Sequence, residues 1–195
     1  MTAGEDRELV ARFKSGDQAA FNQLVRLYQK RVYAVAFRMV RDEEEAKDLT
    51  QEVFVKMYKT LSDFRGEASV FTWAYRATVN LSINHLRRKK IISWVPLLEA
   101  EEKPEEPKEG LSERETARLK QAIAKAVKKL PPKQRAIFIL RHYDELGNEE
   151  IAQIVGKTVG AVKANYFQAL QKMKKYLAEW KTVLTTGDVR RYELP

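Results

Sequence analysis

Apolar side chains recur along this chain every three or four residues and almost nowhere every second residue. Leu9, Val10 and Phe13 share a face; Phe21, Leu24, Val25 and Tyr28 form the next stripe, and Val32, Val35, Ala36 and Met39 continue it. This spacing predicts amphipathic helices. Between the first two stripes, "SGD" breaks the pattern, and Asp17 is placed to cap the helix that follows. "RDEEEAKDLTQEVFVKMYKTL" opens on acids, which complement the positive end of a helix dipole. Its apolar stripe is Ala46, Leu49, Val53 and Met57, predicting a helix over 43–59. The polar segment "SDFRGEAS" then reads as a loop, and "VFTWAYRATVNLSINHLRRKK" as a helix over 71–90.

The same period returns further on. Leu119, Ile123, Ala126 and Leu130 make one stripe that ends at "PP", where Pro132 suits the first turn of a new helix through Ala136, Ile139, Leu140 and Tyr143. The stretch "NEEIAQIVGKTVGAVKANYFQALQKM", residues 148–173, then reads as two helices joined at a glycine. Ala152 is small enough for two helices to cross closely. Gly156 can take the positive φ that ends the first helix, Val162 can plug the space beside Ile151 and Val155, and Thr158 can cap the second helix. The second helix has an inner stripe of Val159, Val162, Tyr166, Leu170, Met173 and Leu177. With no convincing strand pattern anywhere, the predicted class is all-α, with a helix-turn-helix near the end.

Charge changes the picture from one helical array to two. The chain has 195 residues, 44% of them apolar and 32% charged, a net charge of +9 and a pI of about 9.6. Residues 1–95 carry +5, residues 96–113 carry −5 and residues 114–195 carry +9. The acidic strip "PLLEAEEKPEEPKEG" has prolines at 96, 104 and 107 and ends at Gly110. Prolines break helices, and mutually repelling glutamates with few apolar neighbours stay extended. The expected organisation is therefore two small helical domains, 1–95 and 114–195, joined by an acidic flexible linker at 96–113. The basic excess favours an anionic partner, nucleic acid or an acidic membrane, over a merely solvated surface by little on its own. There are no cysteines, which excludes disulfides and thiol chemistry. The polar, acidic start is unlike a signal peptide and no apolar run approaches a membrane span, so a cytoplasmic protein without membrane insertion is expected.

Candidate chemistry follows from these placements. On the second helix of the helix-turn-helix, Ala161, Ala164, Asn165, Gln168 and Lys172 face outward. Asn and Gln can pair with adenine in the major groove, and alanine can touch a thymine methyl; both amides could equally be ordinary solvated side chains. Lys157 and Lys163 are placed for phosphate, as is the helix N-terminus at Thr158 and Gly160. On the helix at 71–90, Arg76, Asn80, Asn84 and Arg87 share a face, Arg88 follows, and Phe71 and Trp73 lie near its start. Basic side chains with adjacent aromatics suit single-stranded nucleic acid, although at least one of Phe71 and Trp73 is expected in the core. On the helix at 43–59, Asp48, Gln51 and Glu52 make an acidic face beside Phe54, open to an arginine-bearing partner or simply to solvent. No enzyme, cofactor or metal site is expected: His85 and His142 lie in different domains, and there is no nucleophile elbow or phosphate-cradling loop.

These residues together resemble the extracytoplasmic-function (ECF) group of bacterial RNA polymerase sigma factors. The segments that carry the resemblance are "EAKDLTQEVF", "FRGEASVFTWAYRATVN" and the helix-turn-helix, and it runs from about Leu9 to Leu177. The resemblance implies a promoter-specificity subunit for stress or envelope-type promoters. Asp48, Gln51, Glu52 and Phe54 would dock on the β′ coiled coil of core polymerase. The loop at 62–70, with Phe64, Arg65 and Gly66, would capture a base flipped from the minus-ten element. Phe71, Trp73, Arg76, Asn80, Asn84, Arg87 and Arg88 would track that element as it opens. The helix-turn-helix, through Lys157, Thr158, Gly160, Ala161, Lys163, Ala164, Asn165 and Gln168, would read the minus-thirty-five element beside the β flap. An anti-sigma factor that masks both domains is implied as well. The chain departs from the family pattern where arginines or other basic residues usually stand at Asn165 and Gln168, and threonine at Ala161, which weakens phosphate contact on that face. The alternatives are an autonomous helix-turn-helix regulator, dimeric on a palindromic operator, and a nucleic-acid enzyme, for which no catalytic constellation is present.

Overall fold

The computed structural model describes residues 3–66, 68–92 and 113–178, and among these every regular element is a helix. The elements are α1 (Ala3–Lys14), α2 (Gln18–Val40), α3 (Glu43–Thr60), α4 (Val70–Ile92), α5 (Glu113–Lys129), α6 (Pro132–His142), α7 (Asn148–Val155) and α8 (Val159–Tyr176). The acidic linker expected at 96–113 and the tail lie outside the described residues, save Glu113 at the start of α5.

Local chemistry sets the boundaries. The Asp17 side chain accepts from the Ala19 amide at the start of α2, with its carboxylate also held by Arg12 at 2.7 Å. Asp42 does the same for α3 through the Glu45 amide, and Thr158 for α8 through the Ala161 amide. Pro132 occupies the first turn of α6. α7 ends at Gly156, where φ is 63°. An added Cβ there would meet nothing within 4 Å, so it is the left-handed backbone and not crowding that requires glycine. Gly156→Ala is accordingly expected to cost about 1–2 kcal/mol, read as a lower urea midpoint with an unchanged m-value; an unchanged midpoint would show that the α7–α8 turn does not need the left-handed residue.

The stripes expected to be internal are internal. Leu24, Val32, Val35, Ala36, Met39, Ala46, Val53 and Met57 are buried, as are Leu119, Ile123, Ala126, Leu130, Ile151, Val162, Met173 and Leu177. One cluster gathers α1, the first half of α2, the middle of α3 and the start of α4; Phe13, Phe21 and Tyr58 close it with ring centroids 5.1–5.6 Å apart. The second cluster is built around α6, whose residues 134–140 are all buried. A helix buried all round is the centre of a unit and not a wall of it. α6 is packed by α7 and α8 and also by α2 and α4, so this core runs on from the second unit into the C-terminal half of α2 and the middle of α4. The two units thus share apolar surface, an arrangement that periodicity alone does not contain.

Candidate nucleic-acid interface

Three surfaces carry the residues singled out from the sequence. The first is on α3. Five acids lie in its first ten residues, but they are not equivalent. Lys47 binds Glu43 and Glu44 at 3.0 and 2.9 Å, and those hydrogen bonds hold its ammonium above the ordinary lysine range. Glu45 is drawn to α4, where Lys89 Nζ reaches it at 2.6 Å and His85 Nε2 lies 3.0 Å away without hydrogen-bond geometry. Asp48 and Glu52, one turn apart, are exposed and form no ion pair among the described residues. With Gln51 they make a stripe that continues onto Val55, which is 47% exposed. Phe54, expected on this surface, is 9% exposed and packs into the first core cluster instead. It follows Val53 by a single residue, a rotation of about 100° on a helix, which keeps its ring on the inner side and hands the exposed apolar position to Val55. The signal that could have found Val55 was its spacing, seven residues after Asp48 and three after Glu52.

The second surface joins α4 to the loop before it. Asn80, Asn84, Arg87 and Arg88 are exposed, as the shared face requires. Phe71 and Trp73 are half-buried; Trp73 packs on the first core cluster, and Phe71 touches both clusters and lies 4.2 Å from the Tyr75 ring. Both aromatics therefore serve packing first. The loop is braced from α1: Lys14 Nζ donates to the Phe64 carbonyl at 2.6 Å, and Gly66 takes φ 75°. Between loop and α1 lies a cavity of about 640 Å³, open to solvent and lined by Arg7, Lys14, Phe64, Arg65 and Val70, among others. Three cations and a half-buried aromatic at its wall suit a base with its phosphate. The foundation of α1 is a buried pair in which Tyr28 Oη donates to Asp6 at 2.5 Å; burial first, and Asp6 second, push the tyrosine well above its ordinary range.

Arg76 stands apart from the rest of that face. Its Nε and Nη2 donate to the Gln153 carbonyl at 3.2 and 2.7 Å, at the end of α7. Arg76 is exposed like the rest of that face, but the sequence could not show that its guanidinium is engaged by a carbonyl of α7.

The third surface is the outer side of α8. Lys157, Thr158, Gly160, Lys163, Ala164 and Gln168 are exposed, and Ala161 and Asn165 half-exposed. The two amides already have partners. Asn165 Nδ2 donates to the Ala161 carbonyl at 2.8 Å, and Gln168 Oε1 accepts from Gln134 Nε2 at 2.7 Å, while Lys172 Nζ donates to Gln134 Oε1 at 2.9 Å. Both can turn outward only by giving up those bonds. Phe167, absent from the candidates above, is 62% exposed on the same outer half of the helix, one turn from Lys163 and two from Lys174. An aromatic so displayed between lysines is a candidate contact for a sugar or a thymine methyl. No helix of the described residues is long and apolar enough to cross a membrane, and no group of three or more His, Asp or Glu among them could hold a metal ion.

Similarity to known proteins agrees with this division into two helical units. A family model described as Sigma-70 region 2 matches residues 24–91, and one described as Sigma-70, region 4 matches residues 120–173. The chain is 33% identical over 188 residues to the RNA polymerase sigma-H factor of Pseudomonas aeruginosa, covering 91% of this chain and 96% of that protein. It is 37% identical over 174 residues to the ECF RNA polymerase sigma-E factor of Escherichia coli, covering 84% and 90%. Among solved structures, CnrH in complex with the cytosolic domain of CnrY has a TM-score of 0.67 at 25% identity, covering 89% of this chain and 97% of that one. The sigma factor RpoE of Bartonella quintana, solved with the anti-sigma factor NepR, shares the fold, with a TM-score of 0.61 at 19% identity over 81% of this chain and 96% of that one.

Proposed function

Because the chain belongs to the ECF group of sigma-70 family RNA polymerase sigma factors, we propose that it brings core polymerase to alternative promoters and helps open them, performing no bond chemistry itself. One observation carries the reading beyond the family: a single chain displays an unpaired acidic stripe on α3 together with two exposed polar faces suited to nucleic acid, on α4 and α8. A stand-alone DNA reader has no use for the acidic stripe, which repels DNA; a polymerase subunit does.

The parts divide as follows. Asp48, Gln51, Glu52 and Val55 meet an arginine-bearing coiled coil of the polymerase β′ subunit. The cavity beside Phe64, Arg65 and Gly66 receives a base flipped from the minus-ten element, and that capture offsets the cost of unstacking it. Asn80, Asn84, Arg87 and Arg88, with Arg76 once released, follow the opened strand. α8 enters the major groove of the minus-thirty-five element with Ala161, Ala164, Asn165 and Gln168 toward the bases and Lys157 and Lys163 toward phosphate. The acidic linker runs where nucleic acid would otherwise lie. An anti-sigma factor is the natural inhibitor, and the setting is the cytoplasm, where polymerase is.

Transcription with purified core polymerase tests this. Adding the protein to core enzyme and genomic fragments should yield transcripts with discrete starts sharing one promoter pattern, while the lone protein binds duplex DNA weakly. Phe167→Ala should lower output from those promoters about tenfold or more, the loss of one well-placed base contact being worth about 1–3 kcal/mol. Tight, sequence-specific duplex binding without polymerase, together with a dimeric mass, would instead identify an autonomous regulator.

A further inference from the structure

The polar ties between the two units have a shared character. Arg76 of α4 donates to the Gln153 carbonyl near the end of α7, and Arg135 of α6 donates to the Met39 carbonyl near the end of α2 at 2.5 Å. The third tie is different. Arg38 of α2 sits over the Tyr143 ring at 4.8 Å and reaches Asp144 Oδ1 at a loose 3.5 Å. The Asp144 side chain is only 14% exposed, and its second oxygen, Oδ2, is buried without a hydrogen-bond partner. Burying a charged carboxylate with an unpartnered oxygen costs more than burying the neutral acid. The contact is also specific. α7 lies along α4, takes the Arg76 guanidinium, and brings Gln153 to the rim of the cavity under the 61–69 loop.

We propose that the chain, free of polymerase, closes on itself so that the Gln153 carbonyl of α7 occupies the donors of the exposed Arg76 at the cavity rim, and that closing takes up a proton at Asp144. The Arg76 half rests on the reading of α4 as a strand-binding face; the closing half does not.

The sign follows from where the carboxylate goes. In the closed form burial lifts Asp144 to about 6, against the opposing pull of Arg38 and then Arg31. The groups facing it are those two arginines from α2, the buried Tyr75 hydroxyl from α4, itself raised by burial and by Asp144, and its neighbour Tyr143. On opening, Asp144 returns to water and toward its ordinary value of 3.8. The closed form therefore binds the proton more tightly, and closure strengthens as pH falls through about 6. Between pH 7 and pH 5 the closed-to-open ratio should rise about tenfold.

The full chain provides its own clean background, having no cysteine. Cysteines introduced at the exposed Lys59 of α3 and Lys163 of α8 would carry a fluorophore pair for distance measurement from pH 8 to pH 5. The short-distance population should grow on acidification. Asp144→Asn, which is isosteric and cannot ionise, should hold it high throughout and flatten the response. A population that ignores pH in the native sequence overturns the proposal. So does an Asp144→Asn chain that responds like the native one, since that assigns the titration to another group. In parallel, affinity of the full chain for a fluorescent single-stranded oligonucleotide should fall on acidification, the reverse of what added positive charge alone would do. Closure that responds to pH while oligonucleotide affinity does not fall would overturn the blocking of the Arg76 donors and the strand-binding role of α4 together, leaving the proton-linked closure standing.

Discussion

Asp48→Arg combined with Glu52→Arg is expected to abolish co-purification with core polymerase and leave the isolated fold intact. Both halves of that expectation come from where α3 spends its charges. Glu43, Glu44 and Glu45 are engaged by Lys47 and Lys89, whereas Asp48 and Glu52 are exposed and unpaired among the described residues. Replacing them breaks no internal bond, arginine is a good helix former, and both positions lie beyond the first turn, where the dipole has faded. Stability should stay within about 0.5 kcal/mol, with a few tenths lost to repulsion between the new charge at 52 and Lys56 one turn on. At the interface, two attractive contacts with arginines become two repulsions. Loss of a desolvated charge contact costs about 2–5 kcal/mol, so affinity should drop at least a hundredfold. The control is Glu43→Arg with Glu44→Arg, which makes the same change in net charge at the already paired end. If that pair weakens binding as much, the effect is general electrostatics and the stripe is not the dock; if the first pair leaves binding unchanged, the assignment of α3 fails outright.

Much of this molecule can be read from periodicity, because a helix buries a stripe and a stripe repeats. The α2, α3 and α5 stripes, the Asp17 and Thr158 caps and the Gly156 turn all follow from local rules and all appear. What periodicity does not carry is what lies on the other side of a face. Arg76 shares an exposed face with Asn80, Asn84 and Arg87, but α7 bonds only to the first of them. Phe54 sits at the border of its stripe, where a rotation of one residue decides between core and surface. Asn165 and Gln168 were legible as amides on an outer face; that one closes on its own helix and the other on Gln134 depends on α6 passing beneath. α6 itself is the extreme case. Gln134 and Arg135 are polar and would be placed outside by any pattern, yet both are buried, because neighbours from both units surround that helix. The candidate surfaces were therefore legible as faces, and the contacts between units that modify them were not.

Arg135 shows what that costs and gives the second large effect. It is 5% exposed, burial lowers its guanidinium to about 10, and it still carries its charge at neutral pH. Among the described residues no carboxylate is bonded to it; its partners are carbonyls. Nη1 donates to Met39, while Nη2 donates to Lys128 and, at 3.3 Å, to Leu130. Those oxygens lie at the last turns of α2 and α5, where helices leave carbonyls without internal donors and where the dipole is negative. One cation thus caps two helix ends in different units. Removing it should leave those acceptors buried beside a cavity, so Arg135→Ala is expected to destabilise the chain by about 3–5 kcal/mol, a large share of the 5–15 kcal/mol typical of a whole domain. Packing and capping can be told apart with Arg135→Met, which restores most of the volume and no donors. If capping dominates, methionine should recover less than half of the loss in urea unfolding followed by helical ellipticity. Full recovery by methionine would mean that Arg135 is held for its shape, and that the junction between α2 and α6 does not depend on the charge.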